Sequence, residues 1–233
     1  MNKSKKNNFF PIIIALIILF FSTIIFLSIP VLFNYKSIES HIEKKFFSEF
    51  NINLQILDKV KYQFIPQPHL LVNKANLSLS FEGKKSSNIN TENLKIYLSP
   101  KNLYSKSNLK FDKLEIKNTN FRFKFDDIKI FHNYLYNKKN NEIIIKKNNF
   151  FFLDEDNKTI LISPINKILY SINKNDNYKK LKIKGNIFDI NYNSSWKRYY
   201  ETPNRSQTEI KLKNPNVVLK NFFLFKDNNE FEG

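Results

Sequence analysis

Residues 9–33 carry no charged side chain. About 20 apolar residues suffice to cross the hydrocarbon core of a bilayer, and a helix satisfies all of its own backbone polar groups there. The segment therefore reads as a spanning helix with length to spare for tilt. Pro11 and Pro30 fall near its two ends, where a missing backbone donor costs little. A cleaved secretory signal is the competing reading. Signal cores run to roughly 7–15 residues and end at a small-residue cleavage site, whereas this run is longer and no such site follows it. An uncleaved, single-pass anchor is the expectation. Lys3, Lys5 and Lys6 precede it, while Lys36, Lys44 and Lys45 follow it mixed with Glu39 and Glu43. The positive-inside comparison leans toward a cytoplasmic basic tail over residues 1–8. In a bacterial inner membrane the rest of the chain would then be periplasmic.

Directly after the anchor, Ile38, Ile42, Phe46 and Phe50 recur every four residues, which predicts an amphipathic helix over residues 34–50 with Ser37 as its N-cap. Its apolar stripe packs either on the domain that follows or in the headgroup region, and periodicity does not separate the two. From Asn51 the period changes to two. Ile52, Leu54 and Ile56 alternate with polar residues, then Val60, Tyr62 and Phe64 do so until Pro66-Gln67-Pro68 stops the run. Further alternating runs follow at Leu70 and Val72, at Leu77 to Phe81, and at Leu94, Ile96 and Leu98. Leu109 and Phe111 are out of phase with Leu114 and Ile116. A bend or bulge is therefore expected near Asp112-Lys113, because a one-residue slip moves every side chain to the other face.

Phe121, Phe123 and Phe125 follow an expected turn at Asn118-Thr119-Asn120 and give one strand an aromatic face. Residues 127–136 read as a strand followed by a short helix, and residues 164–173 as either a short helix or a strand. A turn is expected at Asp154-Glu155-Asp156-Asn157, a strand break at Gly185-Asn186, and a polar loop from Trp196 to Tyr200. The last strands lie around Ile210, Leu212 and Val217 to Leu224. With no Gly/Ser linker, residues 51–233 read as one domain. The fold class expected is mainly β, a meandering antiparallel and curved sheet behind a transmembrane helix and a short amphipathic helix.

The net charge of +17 raises nucleic acid as a partner, but lysines spread over the whole chain ordinarily form a solvated surface. Phe121-Arg122-Phe123-Lys124-Phe125 superficially fits an RNA-binding strand. In a period-two strand, however, the three rings share one face and the two cations the other, so stacking and charge do not converge. With no cysteine and 3 glycines, thiol chemistry, zinc knuckles and Gly-rich phosphate loops have no material. His41, His69 and His132 are scattered, and Asp154-Glu155-Asp156 lacks the Gly and distal Glu of a calcium loop. No catalytic residue, metal or cofactor is expected.

The segment Ile56-Leu57-Asp58-Lys59-Val60-Lys61-Tyr62-Gln63-Phe64-Ile65-Pro66-Gln67-Pro68-His69-Leu70, behind a basic tail, a spanning helix and an amphipathic helix, resembles the N-terminal region of AsmA-like proteins of Gram-negative bacteria. Asn93-Leu94-Lys95-Ile96-Tyr97-Leu98-Ser99-Pro100-Lys101-Asn102-Leu103 is similar to that family's next element. The resemblance covers roughly residues 1–125. The family usually has a Gly before its first strand, where this chain has Phe50-Asn51, and its members are longer, so the chain is either a short member or a fragment.

The resemblance implies a non-enzymatic periplasmic β-rich groove, anchored in the inner membrane and acting in outer-membrane biogenesis or phospholipid movement. Phospholipid acyl chains and other envelope proteins are the partners it suggests, with no nucleic acid. On this reading Leu94, Ile96, Leu98, Phe121, Phe123 and Phe125 form the apolar face, either as a groove lining or as a closed core. A structural protein that docks partners through its sheet edges is the alternative, and a basic nucleic-acid-binding domain the weaker one.

Overall fold

The computed structural model describes residues 9–81, 84–85, 88–105, 108–124, 126–127, 130–131, 134, 141–173, 175, 177–199, 205–225 and 231–232. Phe9–Ser28 form α1, and a 3-10 turn over Ile29–Leu32, with Pro30 in its first turn, continues it. Together Phe9–Leu32 make a helix long and apolar enough to cross a membrane. None of the residues of α1 is buried against the rest of the chain. An apolar helix left exposed along most of its length is compatible with hydrocarbon and costly in water.

A second 3-10 turn, Lys36–Ile38, leads into α2, Glu39–Phe50. Ser37 does not cap α2. The turn places it one position too early, and its hydroxyl donates to the Asn34 carbonyl at 2.9 Å instead. Asn51 ends the helix in the left-handed region at φ 54°, its N–H donating to the Phe47 carbonyl at 2.7 Å. The polar amide side chain of Asn makes that conformation accessible. Ile42, Phe46 and Phe50 are fully buried and Ile38 packs beside them. The stripe thus faces the domain, where each side chain contributes about 1.5–3 kcal/mol by burial.

Among the described residues fourteen strands follow: β1 Ile52–Ile56, β2 Val60–Gln63, β3 His69–Phe81, β4 Lys84–Lys85, β5 Ile89–Leu98, β6 Phe111–Lys117, β7 Asn120–Phe123, β8 Glu142–Leu153, β9 Thr159–Asn173, β10 Tyr178–Ile187, β11 Ile190–Tyr199, β12 Arg205–Lys213, β13 Val217–Phe225 and β14 Phe231–Glu232. They form one open sheet in the order β1-β3-β5-β6-β8-β9-β10-β11-β12-β13-β14, with β2 and β4 also on β3 and β7 on β8. The sheet is mainly antiparallel, as expected, but not throughout. β6 and β7 both pair with β8 in parallel, which requires a crossover. The crossover contains the helical residues Asp126, Asp127, Ile130, Phe131 and Tyr134. The described residues between 127 and 136 are therefore helical where a strand and then a helix were expected, because an apolar run this short fits either period.

Asp112 is the bulge residue that the phase change predicts: Tyr97 pairs with Lys113 but Leu98 with Phe111. Asn118-Thr119-Asn120 is not a turn. It is a crease between β6 and β7, which continue along the same neighbour, and it aligns with a second irregularity in β8. Asn118 and Lys147 both have positive φ, 56° and 55°. Across the crease, Asn118 N–H donates to the Lys146 carbonyl at 3.2 Å, and Thr119 N–H to Asn148 Oδ1 at 2.6 Å. The turn at Asp154-Glu155-Asp156-Asn157 is present, closed by Asn157 N–H on the Asp154 carbonyl at 3.2 Å.

Residues 164–173 belong to the long strand β9. At Gly185-Asn186 the pairing of β10 with β9 shifts register and stops, but the strand itself runs on to Ile187 against β11. The hairpin lies at Phe188 and Asp189 instead, both at positive φ, 49° and 62°, as the tight turns that match strand twist require. Trp196 is inside β11 rather than in a loop. Phe125, His132, Tyr136, Tyr200 and residues 137–140 lie outside the described residues.

The sheet is rolled. In a flat sheet β1 and β9, five positions apart, would stand about 24 Å from each other. Ile52 of β1 and Tyr170 of β9 instead line the same small cavity. The buried face of the sheet, the stripe of α2 and the helical residues Ile130 and Tyr134 form one hydrophobic cluster inside the roll.

Candidate functional site

The inner face is where residue chemistry and geometry converge. Strand alternation sends Phe121 and Phe123 inward, 3% and 4% exposed, and leaves Arg122 outside, its guanidinium 5.7 Å from the Phe151 ring centre. Phe150, opposite Phe121 in β8, brings its ring to 4.9 Å from Phe121 and 5.1 Å from Phe123. Phe131 of the crossover lies 6.0 Å from Phe123, and Phe152 lies 6.3 Å from it. These separations are those of attractive edge and tilted ring pairs.

Two cavities meet at this aromatic cluster. The inner one, about 40 Å³, lies among Ile52, Leu79, Phe121, Phe123, Tyr134 and Tyr170. The outer one, about 190 Å³, is lined by Phe123, Phe150, Phe152, Ile165, Ile183 and Tyr192, with Phe131 and Ser163. Phe123 and Phe131 line both, so the two cavities lie side by side along one apolar trough on the inner face, the outer one bounded by residues of β9, β10 and β11. Polar groups are few. Tyr134 donates its hydroxyl to the Phe50 carbonyl at 2.6 Å. Burial, and then the neighbouring Tyr170, push its phenol well above the ordinary tyrosine range. Burial raises Tyr170 as well, so both remain neutral.

Beyond the outer cavity the inner face continues through Leu181 opposite Trp196 and Tyr192 opposite Leu212, while Ile183 of β10 and Ile210 of β12 both stand opposite Ser194 of β11. Gly185 sits at the cavity wall. A Cβ there would stand 2.9 Å from the Tyr192 hydroxyl and 3.0 Å from Ile165 Cδ1 and the Pro164 carbonyl. The glycine permits this close approach of two strands.

Of the residues expected on the apolar face, Phe121 and Phe123 line the trough. Leu94, Ile96 and Leu98 are buried in the same cluster, at most 4% exposed, but line neither cavity; they form packed core. Phe125 lies outside the described residues. Sequence reasoning missed Phe131, Phe150, Ile165, Ile183 and Tyr192. Alternation in β10 offered a signal for Ile183, whereas the unbroken run Phe150-Phe151-Phe152-Leu153 hid which rings face inward. Among the described residues no three His, Asp or Glu side chains gather where they could hold a metal ion.

Helix α1 is joined to this body through two phenols. Tyr62 donates to the Leu27 carbonyl at 2.8 Å, and Tyr104 donates to the Phe26 carbonyl while its ring packs 4.9 Å from that of Phe26. Burial, and then Tyr104, push the Tyr62 phenol up to about 12, so it stays a donor. No protein-family model matches the chain, and no curated protein matches it in sequence.

Proposed function

We propose that this chain is a membrane-tethered, non-enzymatic protein that shelters a lipid acyl chain on the inner face of its rolled sheet. The observation that carries the reading is the apolar pocket of about 190 Å³ between Phe123 and Tyr192, beside which Leu181, Trp196 and Leu212 extend the inner face. An engineered cavity of about 150 Å³ holds benzene, so the 190 Å³ pocket takes a segment of a hydrocarbon chain. The rest would lie along β10 to β12. Each methylene withdrawn from water contributes about 0.8 kcal/mol. The resemblance to AsmA-like proteins supports the same assignment and adds a location: a bacterial inner membrane with the sheet in the periplasm, acting in outer-membrane biogenesis or phospholipid movement.

A photoreactive residue at Ile183 of the full chain, purified from membranes, tests this. The expected product is a covalent adduct with phospholipid, absent when the crosslinker is placed at exposed Asn90 of β5. If no phospholipid co-purifies, no adduct forms and a lipid-transfer assay is blank, the reading fails.

A second reading, docking of a partner by strand addition, is favoured by β13, whose free side β14 covers only at Leu224 and Phe225 among the described residues. Edge strands are ordinarily blunted by charge or apolar on one face only. Here Val218, Phe222 and Leu224 face outward, and Leu219 on the inner face is itself 56% exposed.

A further inference from the structure

The outer face of the same sheet carries a pattern that the trough does not use. Register places Lys117 of β6 opposite Lys146 of β8, Lys146 opposite Lys167 of β9, and Lys167 opposite Lys184 of β10. The row passes Asn193 of β11 and ends at Lys211 of β12. Lys180, Lys182 and Lys197 flank it on the same face. Like charges directly opposite one another destabilise a sheet, and here they are opposite at three consecutive pairings. Glu115 neutralises Lys146 at 2.8 Å and Glu209 neutralises Lys211 at 3.0 Å. Lys117, Lys167 and Lys184 are exposed and form no ion pair among the described residues. Burial, and then Lys182 and Lys197, also depress the Lys180 ammonium below its usual range, which reports the same crowding.

Large apolar side chains border the cations on this face: Phe222, 60% exposed, with Val218 and Leu224 on β13, and Ile162 of β9 opposite Phe151 of β8. Toward one end of the strands Arg205 lies 4.5 Å from the Tyr199 ring centre and Lys197 5.5 Å from that of Tyr178. A nucleic-acid backbone rewards the charge but gains nothing from covering valine and leucine. A bilayer interface rewards charge, tyrosine and aliphatic residues together.

We infer that the outer face of β8 to β13 is a docking surface for an anionic phospholipid bilayer, with the lysine row as its headgroup contact. The inference does not depend on whether the trough holds a lipid.

The test uses the full chain held by its helix in a phosphatidylcholine nanodisc and measures flotation with vesicles. Binding is expected to vesicles containing phosphatidylglycerol but not to phosphatidylcholine alone, and to weaken as salt is raised. Each lysine near an anionic surface contributes about fivefold in affinity. Lys117→Gln, Lys167→Gln and Lys184→Gln together should therefore lower binding by about 100-fold, with unchanged circular dichroism and a thermal midpoint no lower than the parent's. Lys44→Gln, Lys59→Gln and Lys61→Gln, an equal charge loss at exposed positions off this face, should leave binding within about twofold. Equal losses from both triple variants, no loss from the first, or tighter binding to single-stranded DNA than to the vesicles would each overturn the assignment.

Discussion

Gly185 and His69 show how much single positions decide. Gly185→Ala would push a Cβ against Tyr192, Ile165 and the Pro164 carbonyl at 2.9–3.0 Å. We expect a loss of about 1–3 kcal/mol by overpacking, read as a lower urea midpoint at unchanged slope. His69 is fully buried, with Nδ1–H donating to the Gln67 carbonyl at 2.7 Å and Nε2 3.1 Å from the Gln63 side-chain amide. Burial, ahead of the nearby Lys95, lowers its pKa below the ordinary value of 6.5. The unfolded chain therefore binds a proton first as pH falls. Stability from neutral His69 is complete above about pH 6.5 and is lost progressively below it. Thermal midpoints should drop between pH 7.5 and 5, with a shallower slope in His69→Gln. Alternation identified Phe121 and Phe123 as inward rings from the sequence. It misread Gly185, because a glycine that ends a strand and one that lets two strands approach look alike in isolation.

At the scale of elements, α1, α2 and most strands were legible because their periods are long and uninterrupted, and the Asp112 bulge was legible because the phase visibly slips. The parallel pairing of β6 and β7 with β8 was not. Local period is the same in parallel and antiparallel strands, and only the unseen crossover distinguishes them. The crease was misread as a turn, since asparagine favours the left-handed region in both. Lys147 sits in that region without such a side chain, at φ 55°. A residue with a Cβ pays about 1–2 kcal/mol there, so Lys147→Gly is expected to raise the thermal midpoint by a few degrees. Phe46→Ala, by contrast, would empty the place where α2 meets the sheet. It should cost about 3–5 kcal/mol, measured as the loss of cooperative unfolding in denaturant.

At the scale of the whole molecule, one sheet presents an apolar inner surface and a cationic outer one, and the sheet is joined to the apolar helix α1 by Tyr62 and Tyr104. Tyr62→Phe with Tyr104→Phe should leave the domain's melting within about 2 kcal/mol of the parent. Spin labels on α1 and β2 should meanwhile report a broader distance distribution. Where α1 crosses a bilayer, as proposed above, these two bonds hold the body against the foot of the helix. The height of the trough mouth above the bilayer and its compass bearing would then be set when the chain folds, and any target would meet it at that one angle, by lateral diffusion of the whole assembly in the plane of the membrane.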